Sequence, residues 1–411
     1  MKILIITQFY HPEPVPKPHE LAEELVDKGH QVTVLTCFPS YPGNDIFDGY
    51  RQKLWHSEIL NQVTVIRLPI YPSHDHSVFG RIANYASFFV SLTMIGNFLV
   101  GRQDLVYVWG NPPTVGLAGW LISIIHRGKF VYGIHDLWPE LPASTDMLNN
   151  KTILDLIKYL EQFLWRRAAR IIVVTDSFKV HLVEHGIAPE KLHIIHHWAD
   201  DEVYHPVPHD LSLAKDIGVE GKFVVLFAGN IGLPQGLDSL IEAADKLKTI
   251  NGLRFVIVGD GVERRNLIQE AESRNLTNMI FVDKQPAENM RHYFGLADVL
   301  YASLADHPYS TKIIPSKIAS YLACGRPVLS NIPGDTAALL GEADCGLSVS
   351  TNDLSSLTDA ITTFLNMNEN QLEELGRNAR SAFLKYFSKS KLIEQHEQVF
   401  LALSADRKLT S

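Results

Sequence analysis

KFVVLFAGNIGLPQGLD, Lys222–Asp238, decides the fold. The run from Lys222 to Ala228 is continuously apolar after its first residue and rich in β-branched and aromatic side chains, the pattern of a strand covered on both faces. It breaks on AGNIGLPQG, where glycines and Pro234 forbid regular structure. A helix reads from Leu237 to Lys248. Strand, loop and helix in this order build a parallel sheet, and the chain has already run through this rhythm once.

Working outward towards the N-terminus, the sequence predicts strands at Lys2–Thr7, Gln31–Thr36, Val63–Leu68, Leu105–Trp109, Phe130–Ile134 and Ile171–Thr175. Helices are expected between them, at ELAEELVDKG ending on Gly29, at Leu117–Ile125 and at Ile153–Ala169. The pattern lapses over Asp200–Gly221 (DDEVYHPVPHDLSLAKDIGVEG), which reads as a linker. Towards the C-terminus, strands are predicted at Leu253–Val258, Met279–Val282, Val299–Ala302 and Pro327–Ser330. Helices are expected at Val262–Arg274, Met290–Leu296, Ser316–Ala323, Asp353–Asn366, Asn370–Phe387 and Ser390–Ser404. The fold class is α/β, with two Rossmann-like doubly wound domains in tandem and an interdomain cleft. Boundaries are expected at residues 1–205, 206–388 and 389–411, the last a helix that packs back on the first domain.

The totals agree. A chain of 411 residues is too long for one ordinary core. Its apolar fraction of 46% with 20% charged residues is that of a globular enzyme. The formal net charge of -9 argues against a nucleic-acid partner. Cys37, Cys324 and Cys345 form no CxxC pair, which predicts a reduced, cytoplasmic protein, and MKILIITQFY opens as a strand with no cleavable signal ahead of it. The uncharged run Tyr85–Val100 has 16 residues, fewer than the roughly 20 that span a bilayer, and reads as a buried or interfacial helix.

In doubly wound sheets ligands sit beyond the carboxyl ends of the strands, so the loops there carry the candidate chemistry. The loop Phe9–His19 lacks GxGxxG; Lys17 and His19 stand beside a helix N-terminus, to hold an anion or merely as a loop lysine and a cap. In FPSYPG, Tyr41 either faces the ligand or packs. In IHDLWPE, His135 and Asp136 are a polar pair suited to orienting or deprotonating a hydroxyl, Trp138 offers a flat face for a sugar ring, and Glu140 follows. In AGNIGLPQG, Gly229 and Gly232 allow close backbone approach, while Asn230 and Gln235 are neutral donors for a diphosphate. VGDGVERR adds Gly259 and a cation, Arg264; DKQP adds Gln285 beside a base pocket. In PSKIASYLACGRPVL, Ser316 is a candidate cap and Lys317 projects from the first helical turn, where free N–H groups already attract an anion. Metal ligation has no support: His74-Asp75-His76 and His196-His197 lack an HExxH or Cys/His pattern. No GxSxG elbow is present.

Taken in order, GHQVTVLT, FPSYPG, RLPIYPSHDHSVFGRIANYASF, HDLWPE, HHWADD, AGNIGLPQGLD, VGDG and PSKIASYLACGRPVL resemble the retaining glycosyltransferases of family 4, with the GT-B fold. The likeness covers nearly the whole chain. It is most marked to the bacterial subfamily that builds colanic acid, capsule and O-antigen repeats, often fucosyl- or N-acetylfucosaminyl-transferases. The resemblance implies a UDP- or GDP-linked sugar donor in the C-terminal domain and no essential metal or cofactor. It also implies a saccharide or undecaprenyl-diphosphate-linked acceptor in the N-terminal domain, and peripheral contact with the cytoplasmic face of the inner membrane through Tyr85–Val100 and Arg81. The pattern is not complete. Two carboxylates common in the family fall at Lys312 and Ser320, the usual Arg and Lys of the Gly turn at Asn230 and Gln235, and the usual N-terminal Gly pair within Pro14–Pro16. Lys317, Arg264 and Lys17 are then the cations left for a diphosphate, with Ser320 where a ribose-binding carboxylate often stands. An epimerase or hydrolase of the same fold, or an inactive partner subunit, is the alternative reading.

Overall fold

The computed structural model describes residues 1–73, 78–110, 112–144 and 150–409, so His74-Asp75-His76 lie outside the described residues. The chain divides into two compact units, Met1–Ile195 with Ile393–Ser411, and His196–Leu392.

The first unit is built on an eight-stranded sheet. Its strands are β1 (Lys2–Ile6), β2 (Gln31–Cys37), β3 (His56–Leu60), β4 (Val63–Leu68), β5 (Leu105–Trp109), β6 (Lys129–Ile134), β7 (Arg170–Val173) and β8 (Leu192–Ile194). The spatial order is β3-β4-β2-β1-β5-β6-β7-β8, and every pairing is parallel except β3 on β4. All five residues of β5 are buried, as expected of a central strand with helices on both faces. The edge strands β3 and β8 were not legible: alternating exposure in HSEIL and a three-residue length leave no strong apolar run.

Helices α1 (Lys17–Asp27), α2 (Val78–Ser91), α3 (Asn97–Leu99), α4 (Pro113–Ile125), α5 (Glu140–Ser144), α6 (Lys151–Arg167) and α7 (Asp176–Glu184) connect these strands. α1 starts earlier than the sequence suggested. Pro18 sits in its first turn, where a missing N–H does no harm, so Lys17 is a helical residue and not a loop residue. α2 and α3 join through a π-helical segment, Leu92–Gly96, into one rod running well beyond the expected Tyr85–Val100. α4 lies against both α2 and α6.

The second unit carries a six-stranded, all-parallel sheet. Its strands are β9 (Phe223–Ala228), β10 (Leu253–Val258), β11 (Met279–Val282), β12 (Val299–Ala302), β13 (Val328–Ser330) and β14 (Gly346–Ser348), ordered β11-β10-β9-β12-β13-β14. Its helices are α8 (Leu211–Asp216), α9 (Asp238–Lys246), α10 (Arg264–Ser273), α11 (Ala287–Leu296), α12 (Ser316–Ala323), α13 (Asp335–Glu342), α14 (Leu354–Leu365) and α15 (Glu369–Tyr386). The stretch read as a linker belongs to this unit. Asp210 caps α8 by accepting from the Leu213 N–H at 3.0 Å, and Ala214 and Val219 are fully buried in its core. The second unit also begins earlier than the expected residue 206, at His196. The backbone explains why, since Ala199 bridges to Ser388 as a parallel pair and Lys389 reaches the Asp200 carboxylate at 3.1 Å. α16 (Lys389–Leu409) belongs from Ile393 onward to the first unit, where His396 and Phe400 pack on Tyr107 and Glu397 pairs with His30 and Lys28.

Candidate functional site

In the second unit the decisive loop follows β9. Gly229 takes a φ of +139° and Gly259, at the end of β10, a φ of +150°, values an L side chain rarely adopts. A Cβ on Gly259 would lie 2.0 Å from the Gly229 carbonyl oxygen, so the two strand ends meet backbone to backbone. This close approach by itself requires a glycine at position 259. Beyond Gly229, Gly232 precedes a short 3₁₀ turn, Leu233–Gln235, with Asn230 exposed beside it.

α12 brings Lys317 to this loop. Its Nζ donates to Gln235 Oε1 at 2.5 Å and lies 3.9 Å from the centroid of the Phe227 ring. A Cβ on Gly229 would stand 3.5 Å from the same nitrogen. Burial pushes the Lys317 pKa down to about 7, and among the described residues no carboxylate forms an ion pair with it. One turn on, Tyr321 ties the helix to the strand: its hydroxyl donates to the Ala228 carbonyl at 3.1 Å and accepts from the Ala228 N–H at 2.9 Å. Nothing in the sequence marked Tyr321, an apolar-face residue whose hydroxyl becomes informative only when β9 is in place. Ser320 sits half-buried between these two residues. Pro315, not Ser316, is the N-cap; Ser316 is the exposed first helical residue, so the expected hydroxyl cap is absent.

The structure does not bring every candidate to this point. The Arg264 guanidinium pairs with Asp283 at 2.6 Å, and the Gln285 amide donates to the Asp283 carbonyl at 3.1 Å. The positive charge expected to be available for a diphosphate is therefore engaged with a carboxylate on the neighbouring loop. A cavity of about 470 Å³ adjoins Gly236, but Asp238, Glu242, Asp306 and Asp353 line it, which is unsuited to a diphosphate. His196 rests against Phe387 with ring centroids 5.1 Å apart.

In the first unit, β6 delivers His135, stacked on Trp109 with centroids 3.9 Å apart and planes at 14°. Asp136 follows, half-buried. Trp138 does not offer an open face: it is 8% exposed, with the Tyr85 ring of α2 edge-on at 6.1 Å. Glu140 opens α5 and approaches His181 Nε2 at 3.3 Å. Tyr41 packs beside Phe9, centroids 4.8 Å apart, and stays partly exposed. His19 stacks on His11 and lies 3.9 Å from the Glu23 carboxylate, while burial lowers the pKa of Lys17 against the opposing pull of Glu20.

Two carboxylates escaped the sequence reading. Glu13 is buried and accepts three backbone N–H groups, from Tyr10 (3.0 Å), Ser40 (2.9 Å) and Tyr41 (2.8 Å), knotting the loops after β1 and β2. Glu161 on α6 accepts from the Tyr132 hydroxyl at 2.9 Å and the Trp165 indole at 2.7 Å, and burial raises its pKa to about 8. Among the described residues, no group of three or more His, Cys, Asp or Glu is placed to hold a metal ion.

Comparison with known proteins decides the family. Residues 16–198 match the model of the glycosyl transferase 4-like domain, and residues 213–382 that of glycosyl transferases group 1. The chain belongs to glycosyltransferase family 4. It is 26% identical over 336 residues to WcaI of Escherichia coli K12, named for glycosyl transfer in colanic acid biosynthesis, covering 79% of this chain and 82% of that one. Among solved structures, HepE of Anabaena with bound UDP superposes with a TM-score of 0.74 at 18% identity, covering 98% of this chain and 100% of that one. Sucrose-phosphate synthase of Thermosynechococcus elongatus gives 0.73 at 18% identity, covering 98% and 99%. These full-length superpositions make the two parallel-sheet units a GT-B fold. In this family 4 glycosyltransferase Lys317 is the cation the fold draws to the Gly229 loop.

Proposed function

We propose that the enzyme transfers a hexosyl or deoxyhexosyl group, with retention, from a nucleotide-diphosphate sugar to a saccharide acceptor. The observation that carries this reading is the Lys317 ammonium. It is desolvated, has no carboxylate paired with it among the described residues, and is held at a helix N-terminus against a glycine loop. Such a site is short of one thing, an anion.

A diphosphate supplies it. Breaking the bond from the anomeric carbon to the diphosphate sends both electrons to the leaving group. Lys317, the Gly229 loop and the first turn of α12 stabilise that growing charge. The acceptor oxygen bonds to the anomeric carbon on the same face, and its proton leaves with the diphosphate. Asn230 and Gln235 supply neutral contacts to the donor, and Ser320 stands in reach of a ribose as a weaker partner than a carboxylate. UDP is the favoured carrier, because HepE is a full-length structural neighbour with UDP and UDP-glucose bound. The likeness to WcaI, named for colanic acid biosynthesis, supports an acceptor in polysaccharide assembly; on this reading that acceptor is lipid-linked, at the cytoplasmic face of the membrane. On this reading His135 and Asp136 orient the acceptor in the first unit.

The test is a thermal-shift panel of UDP, GDP and their sugars on wild-type protein and Lys317→Met. A rise in Tm with one nucleotide, lost in the variant, supports the reading; equal rises in both proteins overturn the role of Lys317. Product formed from the donor alone, without acceptor, would favour an epimerase or hydrolase.

A further inference from the structure

The first unit holds a buried polar group that the donor chemistry does not use. Tyr107, the middle residue of β5, is fully buried, and among the described residues its hydroxyl has no hydrogen-bond partner. Stranding a hydroxyl in a core is costly, and a buried polar atom left so calls for a reason. Burial also keeps this phenol protonated, far above the usual range. Its ring is held from the side of α16, by Phe400 with centroids 5.3 Å apart and by His396 edge-on at 5.9 Å. The hydroxyl is therefore kept where it is and does not turn out to water.

Gly133 shows what the hydroxyl is directed at. It lies on the neighbouring strand β6, where it pairs with Trp109. A Cβ on Gly133 would stand 2.6 Å from Tyr107 Oη and 3.0 Å from His135 Nε2. One point thus adjoins both atoms, and only a glycine leaves it open. Gly133 and His135 are two residues apart on one strand and share a face of the sheet. Nε2 is the nitrogen of His135 that is shut off from solvent. The plane of the imidazole is set separately. Trp109 stacks on it at 3.9 Å and 14°, and His396 lies parallel to the same indole within 12°, centroids 6.4 Å apart. Two neighbours on β5 therefore act on one histidine, Trp109 on its ring face and Tyr107 at its Nε2 edge.

We propose that Tyr107 is a positioning residue for His135: its O–H donates to Nε2, so that the neutral imidazole carries its proton on Nδ1 and offers that N–H to an oxygen of the bound substrate. The direction follows from the chemistry of a phenol, whose oxygen shares a lone pair with the ring and is a better donor than acceptor. Hydrogen bonds of this kind tighten when substrate is in place. The helix α16 backs the arrangement, since His396 and Phe400 keep Tyr107 and Trp109 in position. The tautomer depends on β5, β6 and α16 alone. That the Nδ1–H meets the saccharide acceptor rests on the glycosyl-transfer reading.

The experiment reads the imidazole directly, by heteronuclear NMR of the full chain carrying isotope-labelled histidine, with His135→Gln to assign the signal. Wild type is expected to show His135 with its proton on Nδ1 and a bare Nε2. Tyr107→Phe keeps the ring and removes only the hydroxyl. It is expected to move His135 towards the Nε2–H form that an unconstrained histidine favours, with no fall in Tm, because the lost hydroxyl had no partner. With the nucleotide sugar that raises Tm as donor, its kcat for transfer is expected to fall about tenfold or more while the donor KM stays put. The inference is overturned if wild-type His135 carries its proton on Nε2, or if Tyr107→Phe leaves the tautomer unchanged. It is also overturned if the tautomer shifts and kcat does not. Failure of the donor reading shows separately, as the absence of any nucleotide-induced rise in Tm in either protein, and the spectra decide the role of Tyr107 in that case too.

Discussion

Lys317 shows how one residue is turned from an ordinary cation into a site. A lysine exposed on a first helical turn would keep its usual pKa; here burial lowers it to about 7. The sign of the linkage follows. The unfolded chain binds a proton at this lysine up to its ordinary pKa of 10.5, while the folded chain gives it up near 7, so stability rises with pH through that window. Lys317→Met is therefore expected to melt above wild type at pH 7, with the gap closing as pH approaches 10, read by thermal scans across pH. A bound diphosphate offsets the desolvation with an opposite charge. At pH 8, nucleotide-diphosphate binding is expected to take up a fraction of a proton, and calorimetry in buffers of different ionisation enthalpy would detect it. Lys317→Met should lose that uptake.

Glu161 gives the opposite sign. Its carboxyl is held protonated up to about 8, so its contribution is complete below its ordinary pKa of 4.5 and is lost as pH rises through 8. Glu161→Gln keeps the contact to Trp165, and the Tyr132 hydroxyl can turn to accept from the new amide. We expect it to match wild type near pH 5 and to exceed it in Tm at pH 8.5. Neither pKa was legible in the sequence, because desolvation depends on what covers a group and not on its neighbours in the chain.

At the scale of elements, the strands with continuous apolar runs and the helices between them were legible from periodicity and breakers. The misses have local physical causes. β3, β8 and β14 are edge strands of three to five residues, too short or too polar to stand out. The polar DDEVYHPVPHDLSLAKDIGVEG looked like a linker because α8 contributes so few core residues. Loop positions behave similarly: Glu13 reads as one acid in a proline-rich loop, yet it satisfies three N–H groups from two loops. Glu13→Ala leaves those donors buried and unpaired, and should lower stability by about 3 kcal/mol in denaturant unfolding, with urea midpoint as the measure. Tyr321→Phe removes both hydrogen bonds joining α12 to the end of β9. A loss of about 1–2 kcal/mol is expected, together with weaker nucleotide binding as Lys317 loses its fixed backing.

For the whole molecule, α16 is where chain order and structural membership part. The helix starts next to α15, and from Ile393 its buried side chains belong to the first unit: Ile393, His396, Phe400 and Leu403 are all 3% exposed or less. Truncation after Leu392 is expected to destabilise Met1–Ile195 by about 5 kcal/mol or more, since several apolar side chains are removed and Tyr107 is uncovered. The measure is the shift of the first unit's unfolding transition, with the second unit's transition near its place.

Composition, periodicity and motif order were enough to determine two doubly wound parallel-sheet domains, the loops at strand ends, and membership of a glycosyltransferase family. Those properties are written locally, in runs of apolar residues and the glycines and prolines that end them. Tertiary structure alone decided which candidates work together. Lys317 meets Gln235 across 82 residues, Arg264 is drawn off to Asp283, and Trp138 turns its face inward to Tyr85. Pairings of this kind depend on long-range packing and on desolvation, and no local stretch of the chain encodes either.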